Sequence, residues 1–188
     1  MFILAKDTID IESLRLRLDD ERAGALATFE GRVRNHNDGR SVTLLEYEAY
    51  EALANAEAAR ILEEARQRFA IYGCLCAHRV GALRIGDVAV FVAVISAHRG
   101  EAFDACRFII DEIKHRVPIW KKEHYTDGET AWVNCAHSQE HVHSTDGLQP
   151  VLAGEPPALE RTSELQPVLA GEPPALQRSG GRKPASRE

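Results

Sequence analysis

Two arginines close an apolar segment in the sequence Phe29-Glu-Gly-Arg32-Val-Arg34-Asn-His-Asn37. Because side chains of an extended chain repeat every two residues, Arg32 and Arg34 are expected to project to the same side. Two guanidinium groups on one face suit a phosphate, which accepts paired hydrogen bonds. The same arginines also fit a solvated edge strand whose charges prevent aggregation. This segment alone leaves both interpretations open.

A second group of cations lies where a strand is expected to pass into a helix, in Ser96-Ala-His98-Arg99-Gly100-Glu101. The N-terminus of a helix has free backbone N–H groups and a partial positive charge, so anions bind there. His98 and Arg99 add hydrogen-bond donors, and Gly100 lets a ligand approach the backbone closely. The alternative is a capping turn that holds two polar residues and no ligand.

A third group spans the end of the last expected helix, in Lys114-His-Arg116-Val-Pro118-Ile-Trp-Lys121-Lys122-Glu123. The helix dipole favours cations in the last turn, which explains Lys114 and Arg116 without any function. It does not explain Lys121 and Lys122, which come after Pro118. Trp120 offers an aromatic face that suits a flat heterocycle and equally suits the core, so the segment alone fits either a ligand site or a structural helix end.

Apolar and turn-forming patterns predict the elements that position these cations. Strands are expected over residues 2–5, 25–33, 43–50, 74–80 and 88–97. The loop at 34–40 is rich in turn formers, so a hairpin with a flexible tip is expected between the second and third of these strands. The run at 88–95 is apolar at every position, which indicates a strand covered on both faces.

Helices are expected over residues 11–18, 51–69 and 101–116. In the second of these, apolar residues recur at helical spacing on one face: Ala54, Ala58, Ile61, Leu62, Ala65 and Phe69. Pro118 ends the last helix because it cannot continue the hydrogen-bond ladder. Two main helices packed on a mixed or antiparallel sheet make an α+β domain.

A duplicated segment marks the end of the predicted domain. The twelve residues LQPVLAGEPPAL begin at Leu148 and again at Leu165, a period of 17. Each copy has a Pro-Pro pair and no amphipathic period, so neither can bury a face. Two copies are also too few for a stacked solenoid, which needs about three. We expect a folded domain over residues 1–137 and a disordered tail over residues 138–188.

Composition excludes some classes of protein. A formal net charge of -6 argues against a general nucleic-acid binder, which usually carries a basic face. No segment approaches the roughly 20 apolar residues of a membrane span, and the first residues do not fit a signal peptide. The four cysteines show no framework spacing, which indicates reduced thiols in a cytoplasmic protein.

One group of cysteine and histidine residues near the end of the domain could be mistaken for a metal site. Cys135, His137, His141 and His143 fall within nine positions. Their spacing, C-x-H-x3-H-x-H, matches no closed zinc motif, and the segment enters the predicted tail. We therefore expect neither a metal site nor a cofactor.

In this order, the segments FEGRVRNHN, SAHR and IKHRVPIWKKE closely resemble the large, catalytic subunit of molybdopterin synthase. The resemblance covers roughly residues 2–132, including LEYEAY at 45–50, and the combination of segments is specific. The tail lies outside it. The resemblance implies an α+β fold of the hammerhead-like type.

The resemblance also implies an activity and partners. Members of that family are sulfurtransferases of molybdenum cofactor biosynthesis that act on cyclic pyranopterin monophosphate and install the two sulfurs of a dithiolene. Sulfur would arrive as a thiocarboxylate on the C-terminal Gly-Gly tail of a small ubiquitin-like partner. The family implies a dimer of large subunits with a small subunit at each outer end, which makes a heterotetramer.

The family's substrate-contacting positions match nine residues here, namely Arg32, Val33, Arg34, His98, Arg99, Lys114, Lys121, Lys122 and Glu123. Phe29 matches a position that lines the active site. Lys114 is the expected principal catalytic residue, with Lys121 assisting. A lysine acts as a base or nucleophile only when its pKa falls toward neutrality, and neighbouring cations lower it, whereas bound phosphate opposes that effect. The hypothesis requires one hollow that is shared by Arg34, His98, Arg99, Lys114 and Lys121.

Two other functions fit an anion-binding groove. One is hydrolysis of another phosphorylated metabolite, against which stands the lack of a carboxylate and histidine cluster suited to magnesium. The other is a non-catalytic module that grips the acidic or C-terminal tail of a partner. Turnover with a thiocarboxylated partner and the pterin precursor separates all three.

Overall fold

Strands and helices alternate irregularly along residues 1–133, the part of the chain that the computed structural model describes. Their order is β1 (Phe2–Ala5), α1 (Ile11–Arg15), β2 (Ala25–Arg32), β3 (His36–Asn37), β4 (Arg40–Ala49), α2 (Glu51–Arg68), β5 (Ile71–Arg79), β6 (Gly81–Arg84), β7 (Val88–Ser96), α3 (Arg99–Arg116), β8 (Ile119–Tyr125) and β9 (Thr130–Val133). The α+β class that the sequence predicts is confirmed.

The first sheet has the strand order β1-β5-β7-β2, with β1 parallel to β5 and the other pairs antiparallel. The central strand β7 is buried along almost its whole length. Its Val90, Val92 and Val94 pack in the cluster that contains α2 and α3, whereas Phe91 and Ala93 face the side of α1. The prediction that this strand is covered on both faces is confirmed.

The second sheet has the order β3-β4-β8-β9, and β6 also pairs with β4. Every pairing in it is antiparallel. Its own small core is built around Val33, Val42, Leu45, Leu83 and Tyr125. The two sheets thus have separate cores, and the connection from β2 to β3 passes from one to the other.

The predicted hairpin between the second and third strands is wrong as stated. β2 pairs with β7 in the first sheet, while β4 pairs with β6 and β8 in the second. A hairpin does form within the predicted loop, but it joins β3 to β4 through Asp38 and Gly39. Both residues have positive φ, 47° and 78°, as a two-residue turn that matches strand twist requires.

Some predicted elements lie outside the described residues. These are the disordered tail over residues 138–188 and the cluster from Cys135 to His143. Within residues 1–133, Cys74, Cys76 and Cys106 are buried free thiols, and burial raises the pKa of each. In the same part of the chain, no helix combines the length and apolarity that crossing a membrane requires.

Arg116 ties the two long helices together at the end of α3. Its guanidinium donates to Glu64 at 2.6 and 2.9 Å, to Glu57 at 2.8 Å and to Glu112 at 3.1 Å. These carboxylates raise the pKa of Arg116 well above its usual value. Since residues two apart on a helix point to nearly opposite sides, Arg116 faces α2 and Lys114 faces away from it.

We expect Arg116→Met to lower the free energy of unfolding by about 1–2 kcal/mol, because three carboxylates lose their shared countercharge while the apolar stem is kept. Urea unfolding followed by circular dichroism measures the change. Arg107→Met is the matched control, since Arg107 lies on the same helix, is 84% exposed and has one long ion pair to Asp111 at 3.8 Å. Equal effects of the two substitutions would contradict the role of Arg116.

Candidate functional site

A cavity of about 460 Å³ lies between the two sheets, at the C-terminal end of α3. Its walls come from the end of β2, from β4 and β8 of the second sheet, and from the last turns of α3. This volume falls in the range of about 300–1,000 Å³ that small-molecule sites occupy. The cavity is therefore large enough to hold a phosphorylated heterocycle.

Arg32 and Arg34 enter the cavity from the end of β2. A bulge between Gly31 and Arg32 shifts the pairing of β2 with β7. Arg32 donates to Glu30 at 2.7 Å, and Arg34 donates to the side-chain oxygen of Asn37 at 3.2 Å. Both guanidinium groups keep further donors for a ligand, because each has five N–H groups.

Lys114 reaches the cavity from the last turn of α3, next to the apolar lining residues Ile110 and Ile113. Its Nζ lies 5.8 Å from the centroid of the Phe29 ring, which also lines the cavity. A cation at this distance from an aromatic face is attracted by the ring quadrupole. Phe29 thus helps to hold the ammonium group at the cavity wall.

A buried chain of hydrogen bonds positions Lys121 on β8. Lys121, Glu123 and Tyr125 share one face of the strand, since side chains alternate. Lys121 Nζ lies 3.0 Å from Glu123 Oε1, and the Tyr125 hydroxyl donates to Glu123 Oε2 at 2.9 Å. Burial and the neighbouring carboxylate raise the pKa of Tyr125, so its hydroxyl keeps the proton that it donates.

His78 also lines the cavity, and the sequence analysis did not single it out. It is 7% exposed, and burial lowers its pKa to about 4, an effect that the hydrogen bond to the Arg79 carbonyl opposes and the charge of Lys114 increases. The imidazole is therefore neutral at pH 7. One signal was present in the sequence: His78 has the same strand parity as Cys74 and Cys76, which face α2 and α3.

Four of the nine expected substrate-contacting residues do not line the cavity, namely Val33, Lys122, His98 and Arg99. The Val33 side chain is buried in the core of the second sheet, and its backbone bonds to the turn before β7 at Gly86 and Asp87. Lys122 lies on the opposite face of β8 from Lys121, with its Nζ 5.6 Å from the centroid of the Trp132 ring. Their neighbours in sequence, Arg32, Arg34, Lys121 and Glu123, do line it.

His98 and Arg99 lie at the other end of α3, where His98 precedes the helix and Arg99 begins it. Arg99 and Lys114 are fifteen positions apart in one helix, which corresponds to about 22 Å at 1.5 Å per residue. Within one chain the structure gathers Arg34, Lys114 and Lys121 around the cavity and leaves these two residues out. One copy of the chain therefore does not form the single hollow that the sequence analysis required for all five residues.

The cavity is suited to bind an anion. Four basic side chains line it, Arg32, Arg34, Lys114 and Lys121, against two carboxylates, Glu30 and Glu123, that are each paired with one of them. Apolar side chains on the remaining walls lower the local dielectric and strengthen charge interactions. Among residues 1–133 no group of three or more His, Cys, Asp and Glu side chains is arranged to hold a metal ion.

Comparisons with known proteins agree with this architecture. The family described as MoaE protein matches residues 4–116, more than half of the chain. The molybdopterin synthase catalytic subunit of Nostoc sp. is 40% identical over 134 residues, which cover 71% of this chain and 81% of that protein. The corresponding protein of Thermoplasma volcanium is 46% identical over 118 residues, which cover 63% of this chain and 85% of that protein.

Solved structures have the same fold. The crystal structure of molybdopterin synthase from Staphylococcus aureus aligns with a TM-score of 0.67 and 38% identity, over 70% of this chain and 96% of that chain. A complex of subunits 1 and 2 of molybdopterin-converting factor from Helicobacter pylori aligns with a TM-score of 0.58 over 74% of this chain and 92% of that chain. Its identity of 22% speaks for the fold alone. With the family match over residues 4–116 and the relatives at 40% and 46% identity, the chain belongs to the MoaE protein family.

Proposed function

We propose that this chain is the catalytic subunit of a molybdopterin synthase. It moves sulfur from the C-terminal thiocarboxylate of a small ubiquitin-like partner onto cyclic pyranopterin monophosphate and so forms the dithiolene of molybdopterin. The observation that carries the proposal is a cluster of basic side chains in one cavity of a chain whose net charge is -6. These side chains are Arg32, Arg34, Lys114 and Lys121.

The cavity has the chemistry that such a substrate requires. A monophosphate needs bidentate and point-charge donors, which Arg34 and Lys121 supply. A flat heterocycle needs apolar walls, and Phe29, Tyr47 and Val90 provide them. The net charge of -6 makes this local positive potential specific to the cavity rather than a property of the whole surface.

The proposed partner also fits a cationic cavity. A thiocarboxylate is an anion at the end of an extended peptide, and an opening lined by cations attracts it. The related Helicobacter pylori structure is a complex of two subunits of molybdopterin-converting factor. We infer the same kind of association here, in the cytoplasm and with two copies of this chain in a heterotetramer.

The two lysines divide the chemistry between them. Glu123 Oε1 lies 3.0 Å from Lys121 Nζ and positions it, so Lys121 stabilises negative charge that develops when the thiocarboxylate sulfur attacks. Within residues 1–133 Lys114 has an aromatic neighbour and no carboxylate at ion-pair distance. Lys114 is therefore the residue that exchanges a proton with the reacting atoms.

The decisive experiment incubates the purified chain with thiocarboxylated partner and cyclic pyranopterin monophosphate and measures the dithiolene product. Product formation that depends on all three components is expected. Release of phosphate from other phosphorylated metabolites without sulfur transfer would favour the hydrolase instead. Tight partner binding without product would favour the interaction module.

Lys114→Ala is expected to lower turnover about 100-fold or more, because the proton carrier is lost, while the free energy of unfolding stays near that of the wild type. Single-turnover assays and urea unfolding measure the two quantities. Arg107→Ala is the matched control on the same helix, since its side chain is 84% exposed. Near wild-type turnover of Lys114→Ala would remove this residue from the mechanism.

Tyr125→Phe is expected to lower turnover by about threefold to tenfold, because a buried carboxylate that loses one donor holds Lys121 less firmly. Stability should fall by about 1 kcal/mol for the same reason. Tyr50→Phe is the control, since it removes a hydroxyl from a side chain that is 48% exposed. Unchanged turnover in Tyr125→Phe would show that Lys121 does not need this support.

A second copy of the chain accounts for His98 and Arg99. The resemblance assigns both residues to substrate contact and implies a dimer, yet they lie about 22 Å along α3 from Lys114 in their own chain. We infer that each cavity receives His98 and Arg99 from the neighbouring copy. Phe103, which is 62% exposed one turn further along α3, is an apolar residue that such a contact would cover.

Mixed dimers test this arrangement. Lys114→Ala and Arg99→Ala copies, each inactive alone, are expected to recover about a quarter of wild-type turnover when co-expressed in equal amounts, since half of the dimers then hold one intact cavity. Differently tagged copies allow the mixed species to be purified and assayed. No recovery in the purified mixed dimer, or an Arg99→Ala copy that is active alone, would contradict this arrangement.

A further inference from the structure

The cavity contains a buried imidazole whose orientation is set by its surroundings. His78 lies on β5 opposite Val90 of β7, and both residues line the cavity. Its ring meets the Tyr47 ring edge to face, with centroids 5.0 Å apart and planes at 78°. An edge-to-face aromatic contact of this kind restricts rotation of the imidazole. His78 therefore presents one defined edge to the cavity.

The hydrogen bond of Nδ1 determines which tautomer is present. His78 Nδ1 lies 2.8 Å from the carbonyl oxygen of Arg79. Because a carbonyl only accepts, Nδ1 carries the proton, and Nε2 of the neutral ring has a free lone pair. Burial lowers the pKa of His78 to about 4, which keeps the ring in this neutral state at pH 7.

The charged groups of the cavity differ from Nε2 in their hydrogen bonding. Its four basic side chains are donors, and its two carboxylates already have partners: Glu30 accepts from Arg32, and Glu123 accepts from Lys121 and Tyr125. Among residues 1–133, Nε2 of His78 has no hydrogen-bond partner. Because His78 lines the cavity, this acceptor is available to a donor group of a ligand.

We propose that His78 is a specificity-determining residue whose Nε2 accepts a hydrogen bond from an N–H or O–H group of the bound heterocycle. The proposal rests on the function proposed above for the same cavity. The cations hold the phosphate, but a phosphate held alone lets the rest of the ligand turn about it. A neutral acceptor away from the phosphate supplies the second point that fixes the orientation, and it selects ligands that carry a donor there.

This arrangement separates two classes of ligand. Inorganic phosphate and carboxylates at pH 7 bring mainly acceptors, so they gain little from the lone pair of Nε2. A heterocycle rich in N–H groups brings donors and gains a hydrogen bond in a site of low dielectric. His78 thus contributes to the affinity for the heterocycle and not to the affinity for its phosphate.

Two substitutions at position 78 separate the acceptor from the structural hydrogen bond. His78→Asn keeps a donor near Nδ1 for the Arg79 carbonyl but is too short to place an acceptor at Nε2. His78→Gln is long enough to place its amide oxygen near the position of Nε2. His115→Asn, an exposed residue on α3 outside the cavity lining, is the control for replacing an imidazole.

Binding of cyclic pyranopterin monophosphate and of inorganic phosphate is measured by calorimetry for each variant. We expect His78→Asn to weaken binding of the pterin about tenfold or more and to leave phosphate binding unchanged, while His78→Gln stays within about threefold of the wild type for both. Equal weakening of both ligands, or equal loss in both variants, would overturn the proposal. Failure of the wild-type chain to bind the pterin while it binds phosphate would instead refute the proposed function.

A measurement on the wild-type chain avoids any folding defect of the variants. With ¹⁵N-labelled histidine, the Nε2 resonance of His78 is expected to shift when the pterin is added and to stay in place with inorganic phosphate. A resonance that does not move with saturating pterin would overturn the proposal as well.

Discussion

The cavity depends on the point where β2 leaves the first sheet. At Gly31 the pairing with β7 shifts, and a side chain there would place its first carbon 2.6 Å from Val90 Cγ1. The next residues cross to the second sheet, where Val33 is buried and its backbone bonds to Gly86 and Asp87. This crossing carries Arg32 and Arg34 over the gap between the sheets, and the gap is the cavity.

Carboxylates partly balance the positive charge in the cavity. A buried ammonium is costly unless it is paired, and Glu123, which is 2% exposed, pairs with Lys121 while Tyr125 satisfies its second oxygen. Lys114 has an aromatic face instead of a carboxylate, and His78 remains neutral beside it. Lys121 is thus paired with a carboxylate, whereas Lys114 has no carboxylate at ion-pair distance among residues 1–133.

Local sequence patterns predicted most helices and strands, because the helical spacing in 51–69 and the apolar run at 88–95 involve residues close together in the chain. The partner of each strand did not follow from them. β2 was expected to pair with β4 because a turn-rich loop joins them. Instead, β2 pairs with β7 along its whole length. β8 was not predicted because Lys121, Lys122 and Glu123 suggest a solvated segment, although alternate residues are buried.

The site was predicted in part for a similar reason. Arg34, Lys114 and Lys121 lie far apart in sequence, and the fold brings their segments together. Only the resemblance predicted that these residues share a site. His78 was missed because a single histidine at the end of an apolar strand has no local signal beyond its parity. The separation of Arg99 from Lys114, in contrast, was available from the sequence: both lie in or beside one predicted helix, and a helix of that length does not bend back on itself.

That separation places the residues proposed for the site at both ends of α3. A twofold contact is isologous, so if the N-terminal end of one α3 reaches the cavity at the C-terminal end of the other, the reverse contact forms at the same time. Both cavities are then completed by one interface. A chain that brought Arg99 to its own cavity would hold it beside the basic lining residues Arg32, Arg34, Lys114 and Lys121 without a ligand, against their mutual repulsion. In the proposed dimer Arg99 would come from the neighbouring copy, so part of that repulsion would oppose assembly. An anionic ligand that offsets the repulsion should then also stabilise the dimer.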